Sequence, residues 1–348
     1  MKILVAVDSF KGSASSHELN QAVKKGVLSL FSDAEVLTFD VADGGEGSLE
    51  AIRQEVTGEM IPVETLDLLG RSVQASYLLA GQQAFIEGAT VLGIDKIRPS
   101  SETVAAASSR GLAKLVLDAK KRGATEILLA LGGTGSSDGG LGFYEALEKE
   151  NLSGLRLIGL TDVDNVYAGP EGYARTFARQ KGASPEQIEA MDQQALQFAK
   201  MMKQEKGIDL QAIAGTGAAG GLGGAIALLD GELKSGFQTI ASIIGLDQAI
   251  PKVDLVVTGE GRLDAQSQKG KVPYGIARLA ERASVPVIAL AGTVEADLGQ
   301  LDELLLASFS IQSRPLPLDE AMKKEGTLAN VERTAREVSK AFFRTIKR

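Results

Sequence analysis

Ile3-Leu4-Val5-Ala6-Val7-Asp8-Ser9-Phe10-Lys11-Gly12-Ser13 sets an unbroken apolar run against a polar, glycine-containing loop. A strand covered on both faces reads this way, because it must be apolar at every position rather than at alternate ones. Ser15 and Glu18 then form a capping box, and Leu19, Ala22, Val23, Gly26, Val27 and Leu30 recur at helical spacing. The same alternation returns at Val36 to Val41, which ends in Ala42-Asp43-Gly44-Gly45-Glu46-Gly47 before a helix marked by Leu49, Ile52 and Val56. Strand, loop and helix in succession predict βαβ units and a parallel sheet.

From Val73 to Glu87 the period changes to two, with Val73, Ala75, Tyr77 and Leu79 on one face, which predicts antiparallel ribbons and a different domain. A helix over Val104 to Lys121, a strand Ile127 to Leu131, a helix Leu141 to Leu147 and a strand Leu155 to Thr161 follow. Then come a polar helix Pro185 to Lys203, a glycine loop at 215–224 and helices towards Ile250. Simple alternation resumes with strands Asp254 to Thr258, Val287 to Ala291 and Leu304 to Ser308, a helix Pro273 to Arg282 and a terminal amphipathic helix. The expected fold is α/β with two domains. A Rossmann-like parallel-sheet domain formed by 1–68 plus 250–348 is interrupted by an inserted mixed α/β domain at 69–249; a continuous split near residue 150 is the competing arrangement.

Composition narrows the chemistry. With 348 residues, 44% of them apolar, the chain exceeds the length at which one core usually stops growing. It has no cysteine, so disulfides, thiolate metal sites and thiol nucleophiles are excluded, and His17 is its sole histidine. A general base is therefore expected among Asp and Glu. Lys+Arg 37 against Asp+Glu 45 gives a net charge of −8, which disfavours nucleic acid as a partner. No apolar run approaches the ~20 residues of a membrane span, and the opening run meets Asp8 too early for a signal peptide. A cytoplasmic enzyme acting on a small molecule is expected, with no membrane partner; a homodimer is compatible with this reading.

The 40 glycines are bunched in loops. Five clusters of charge follow predicted strands, where open α/β sheets place their ligands. They are Asp8 with Lys11; Asp43 with Glu46; Asp138 within Gly132–Gly140; Asp162 with Asp164; and Glu260, Arg262 and Asp264 with Lys271 nearby. Phosphoryl transfer needs such a mixture, because its transition state asks for cations, backbone donors and a carboxylate-held Mg²⁺. Lys11, Arg262 and Lys271 supply positive charge. Gly133, Thr134, Gly135 and Ser136 in one loop, and Gly215, Gly217, Gly220 and Gly221 in the other, can aim N–H groups at the phosphates of ATP. Asp43, Glu46, Asp138, Asp162 and Glu260 are candidates for Mg²⁺. Each has a plainer reading: Asp43 and Asp138 as helix caps, Lys11 as a solvated lysine, Arg262 in a structural ion pair, and Gln180-Lys181-Gly182 as a surface turn. No P-loop occurs. Gly215-Thr216-Gly217-Ala218-Ala219-Gly220 matches GxGxxG after a short apolar stretch, which admits an NAD(P)-dependent oxidoreductase as the alternative.

Asp8-Ser9-Phe10-Lys11-Gly12-Ser13, Ala42 to Gly47, Gly133 to Gly140, Gly215 to Gly223, Asp254 to Asp264 and Gly270-Lys271-Val272-Pro273 together resemble the bacterial type 1 glycerate kinase family, in the same order through almost the whole chain. The resemblance implies ATP- and Mg²⁺-dependent phosphorylation of D-glycerate, usually at the 2-hydroxyl, in a two-domain α/β fold with its active site in the interdomain cleft. On it, Lys11, Asp43, Asp162 and Arg262 are read as catalytic candidates, and Ser9, Lys11, Arg262 and Asp264 as substrate contacts. Lys271 joins the glycine loops as an ATP contact, and Asp43, Glu46, Asp138 and Glu260 are the metal candidates. The chain departs from the family pattern at Asp162-Val163-Asp164-Asn165-Val166-Tyr167 and at Ala178-Arg179-Gln180-Lys181-Gly182-Ala183, and it shortens the connection between Leu147 and Leu160.

Overall fold

The computed structural model describes residues 1–265 and 271–346; Gly270, the first residue of the 270–273 motif, lies outside them. The chain is α/β and forms two units, one of Met1–Asp43, Glu50–Glu55 and Phe237–Arg348, the other of Gly44–Leu49 and Val56–Gly236.

The first unit holds a five-stranded sheet in the order Ala307–Ser310, Val287–Val294, Leu255–Leu263, Lys2–Val7, Glu35–Thr38, and every neighbouring pair is parallel. Its strand Lys2–Val7 is apolar from Ile3 onward because it is covered on both faces: Ile3, Leu4, Val5 and Ala6 are each 0% exposed. The helix Ser16–Leu28 begins at the expected capping box, with the Glu18 N–H donating to Ser15 Oγ and the Ser15 N–H to the Glu18 carboxylate. Its face of Leu19, Val23 and Val27 joins Val331, Ala335 and Val338 of the helix Lys324–Ile346 in one core. Each leucine and valine of this set contributes roughly 1.5–3 kcal/mol on burial. Gly26 sets the closeness of these helices, since a Cβ there would lie 2.2 Å from the Glu332 carbonyl oxygen.

The second strand stops at Thr38, short of the expected Val41. Side chains of the first helix take over there. Asn20 donates to Phe39 O at 2.8 Å and to Asp40 Oδ1 at 3.0 Å while accepting from the Val7 N–H, and Val41 N–H donates to Ser16 Oγ. Buried polar groups thus fix the two loops that carry Asp8 and Asp43.

The second unit holds a six-stranded mixed sheet, Glu59–Leu66, Ser72–Ala80, Gln83–Glu87, Glu126–Ala130, Arg156–Thr161, Glu232–Ser235. Its first three strands pair antiparallel and the rest parallel. Glu59–Leu66, which the sequence reading gives to the first domain, pairs with Ser72–Ala80, so this sheet begins before residue 68.

Four other expectations are corrected. The helix over 104–121 is two helices, Ser101–Ala106 and Leu112–Lys121, because Ala107 turns extended and Ser109 is drawn to Asp138. The strand expected to end at Thr258 runs from Leu255 to Leu263, held by pairing to Val294. Leu304 ends a helix, Gln300–Leu304, and the edge strand is Ala307–Ser310. No strand covers 210–214; the chain turns there, and Ala218–Leu228 is helical except at Ala219, Gly220 and Gly221. The GxGxxG match therefore lacks the strand that a dinucleotide fingerprint requires, and the oxidoreductase alternative loses its structural basis. No helix among the described residues is long and apolar enough to cross a membrane.

Candidate active site

In the first sheet the chain leaves Lys2–Val7 toward one edge, through Glu35–Thr38, and leaves Leu255–Leu263 toward the other, through Val287–Val294. Between these adjacent strands lies the switch point at which open α/β sheets bind ligands. Asp8 follows one strand, its N–H donating to Gly259 O at 2.9 Å, and Glu260 sits on the other. A cavity of about 1000 Å³ opens here, lined among others by Asp8, Ser9, Lys11, Asp43, Glu260, Arg262, Asp264 and Lys271. Eight residues singled out in the sequence are thereby brought together.

Phe10, 5% exposed, anchors the tight turn Phe10–Ala14 and leaves Lys11 at its tip. Among the described residues Lys11 makes no ion pair. Lys271 Nζ lies 3.5 Å from Glu260 Oε2, and Arg262 Nη2 lies 3.0 Å from Glu295 Oε1 with its Nε 3.6 Å from Asp264 Oδ2. The structural pairing weighed for Arg262 is present. With the guanidinium side chain 64% exposed, however, it adds little stability.

Asp8, which the sequence marks only as part of a charged cluster, has a strongly perturbed carboxyl. Burial first, then the charge of Asp43, pushes its carboxyl up to about 8, while the Ser9 N–H and Lys11 pull it down and Glu260 adds to the rise. Between the ordinary 3.8 and about 8 the native state holds a proton that the unfolded chain has lost. Stability from this group therefore falls as pH rises through that window. Asp8→Asn is expected to raise Tm by about 3 °C or more at pH 8 and by clearly less at pH 5. Equal shifts at both pH values in thermal melts contradict this.

The remaining candidates belong to the second unit. Glu46 is exposed in the turn before the helix Ser48–Glu55. Ser235 Oγ donates to Asp162 Oδ1 at 2.8 Å, joining the ends of two strands of that sheet. Asp138 is occupied structurally: Oδ2 accepts from Ser109 N–H at 2.7 Å, Ser109 Oγ at 2.8 Å and Gly142 N–H at 3.2 Å, and Oδ1 from Gly140 N–H at 3.2 Å. That fills a carboxylate read from the sequence as a metal ligand. Thr134 and Ser136 are buried, and Gly133 and Gly135 pack beside Ala89 and Ile94. Of the other glycine segment, Gly217 packs on Val166, Gly220 on Ser136 and Gly221 on Gly139, while Gly215 lies near Thr161. The two glycine segments meet each other, and much of their glycine content serves that contact.

Lys181, expected on a surface turn, is 3% exposed and donates to Ser136 O at 2.6 Å. Burial pulls its ammonium down to about 8. Glu87, which the sequence reading passed over, is 7% exposed and accepts the Leu49 N–H at 3.0 Å at the start of the helix Ser48–Glu55. Its position at the end of a predicted period-two segment was the one available signal.

Among the described residues no group of three or more His, Asp or Glu converges into a ready metal cage. Mg²⁺ ordinarily takes one or two carboxylates and completes its shell with phosphate oxygens and water. Asp43 and Glu260, whose charges add to the effect of burial on Asp8, are a donor set suited to a divalent cation.

Comparison with known proteins identifies the family. The family model described as "Glycerate kinase family" matches residues 3–153 and 148–343. The chain is 35% identical to the glycerate 2-kinase of Escherichia coli (strain K12) and 32% identical to the glycerate kinase of Bacillus subtilis (strain 168), in each case over 97% of both chains. A crystal structure assigned to glycerate kinase 2 of Salmonella typhimurium LT2 superposes with a TM-score of 0.83 at 32% identity, covering 100% of each chain.

Proposed function

Since the chain belongs to the glycerate kinase family and is thus an ATP-dependent phosphotransferase, we propose that the cavity at the switch point of its parallel sheet is where D-glycerate becomes 2-phosphoglycerate. The observation that carries this is the gathering of Lys11, Arg262 and Lys271 with Asp8, Asp43 and Glu260 around one cavity at strand ends.

In the proposed reaction the 2-hydroxyl oxygen of glycerate bonds to the γ-phosphorus, the bond from that phosphorus to the ADP oxygen breaks, and the hydroxyl proton passes to a carboxylate. Asp43 is the carboxylate assigned to orient the hydroxyl and take its proton late, as a loose transition state requires. Lys11 and Lys271 offset charge on the transferring phosphoryl group, and Arg262 with Ser9 and Asp264 holds the acceptor. Asp43 and Glu260 would hold Mg²⁺, which supplies charge neutralisation on the phosphate oxygens.

The test is ADP release by purified protein with Mg·ATP and D-glycerate, followed by ³¹P NMR of the product. A 2-phosphoglycerate signal is expected. A 3-phosphoglycerate signal overturns the regiochemistry, and ADP release that ignores glycerate overturns the acceptor.

A further inference from the structure

The lining of the cavity in the first unit is of two chemical kinds. The charged lining includes Asp8, Asp43, Lys271 and Arg314; the apolar lining is Ile311, Pro315, Leu316, Leu318 and Met322. Ile311 belongs to the core, but Leu318 is 74% exposed and Met322 36%, so these two present apolar side chains that the core does not use. Apolar surface gathered on a cavity marks a ligand site. A three-carbon hydroxy acid has nothing to set against it. The flat apolar part of the reactants is the base of ATP.

Gln312 also lines the cavity, and its side-chain Oε1 is buried with no hydrogen-bond partner. Its backbone is fixed: its N–H donates to Ser310 Oγ at 3.2 Å, that hydroxyl donates to Gly292 O at 3.1 Å, and the Ile311 N–H donates to Ala291 O at 2.8 Å. Only the side-chain amide is left to turn. An amide oxygen buried without a donor is destabilising, and a turn toward a ligand donor would relieve this. A glutamine amide matches adenine in two bonds, accepting from the exocyclic amine and donating to N7, whereas guanine carries a carbonyl where that amine stands.

We propose that the wall formed by residues 311–322 holds the adenine ring of ATP, with Gln312 reading its amino edge. This rests on placing phosphoryl transfer in the same cavity. The test is steady-state kinetics of two variants, Gln312→Leu and Leu318→Glu, the second at a side chain exposed enough to accept a charge without unfolding the protein. Both are expected to raise KM for ATP roughly three- to tenfold while KM for glycerate and kcat stay within about twofold. Gln312→Leu also narrows the preference for ATP over GTP. Any other pattern, whether a rise in KM for glycerate or an unmoved KM for ATP, overturns the assignment. Lys11→Ala measured in parallel separates the two levels. If it loses turnover while the wall variants behave as the parent, the base binds elsewhere; if it too behaves as the parent, the cavity is not the site of transfer.

Discussion

Replacing Lys11 by alanine is expected to lower kcat/KM for glycerate phosphorylation by roughly a hundred- to a thousandfold while leaving Tm within about 1 °C. The two halves of this result come from different features. Stability is untouched because Lys11 is exposed at the tip of a turn held by Phe10, and among the described residues it makes no ion pair. Activity suffers because Lys11, at the loop after the strand Lys2–Val7 and beside Asp8, is a cavity cation that among the described residues has no carboxylate clamped to it, whereas Lys271 faces Glu260 and Arg262 faces Glu295. A charge held ready in a concave site acts most on the state in which phosphate charge is spread. Lys11→Arg is expected to recover part of the loss. Parent-like turnover in Lys11→Ala would return this residue to the plain role of a solvated loop lysine.

Gly220→Ala is expected to damage the second unit severely, costing about 3 kcal/mol or more in urea unfolding. Gly220 has φ +69°, and a Cβ there would stand 2.2 Å from Ser136 O and 2.8 Å from Ser137 Cα. The φ alone does not forbid a side chain, since Ala219 beside it has φ 53°. Contact with the backbone of the facing glycine segment decides the matter. Gly207, with φ +74° and nothing within 4 Å of a built Cβ, isolates the conformational part. Gly207→Ala is expected to cost only about 1 kcal/mol. Equal losses in the two variants would show that the segments separate freely.

Local rules made the first sheet readable. Ile3 to Val7 had to be a covered strand because no position offered a wet face, and Ser15 with Glu18 announced the helix that follows. The same rules placed Lys11, Asp43, Glu260, Arg262 and Lys271 near strand ends, and these residues do line one cavity. What the sequence left hidden depends on partners far along the chain. Glu260 and Arg262 lie within a strand rather than after it, because Ala291 and Thr293 extend the ladder beneath them. Asp138 has the composition of a metal ligand, but Ser109, 29 residues away, spends its hydrogen bonds. Lys181 in Gln-Lys-Gly has every local mark of a surface turn, and only the carbonyl of Ser136 explains its burial. Glu232–Ser235 went unseen because a four-residue edge strand with two charges carries no periodicity.

The pairing of Ile3 with Leu255 also orders events in time. As the chain leaves the ribosome its amino-terminal strand has a neighbour at Glu35–Thr38, but its other neighbour is synthesised some 250 residues later. At about 5–20 residues per second that wait lasts on the order of tens of seconds. Residues 56–236, contiguous in the chain, can complete their own sheet in that interval. The strand that carries Asp8 meanwhile keeps one edge open, an apolar ribbon exposed to whatever extended chain is near. Nascent-chain proteolysis should therefore find the segment 56–236 protected well before residues 2–7. Chains halted before Leu255 should aggregate through the very strand that later forms the floor of the site.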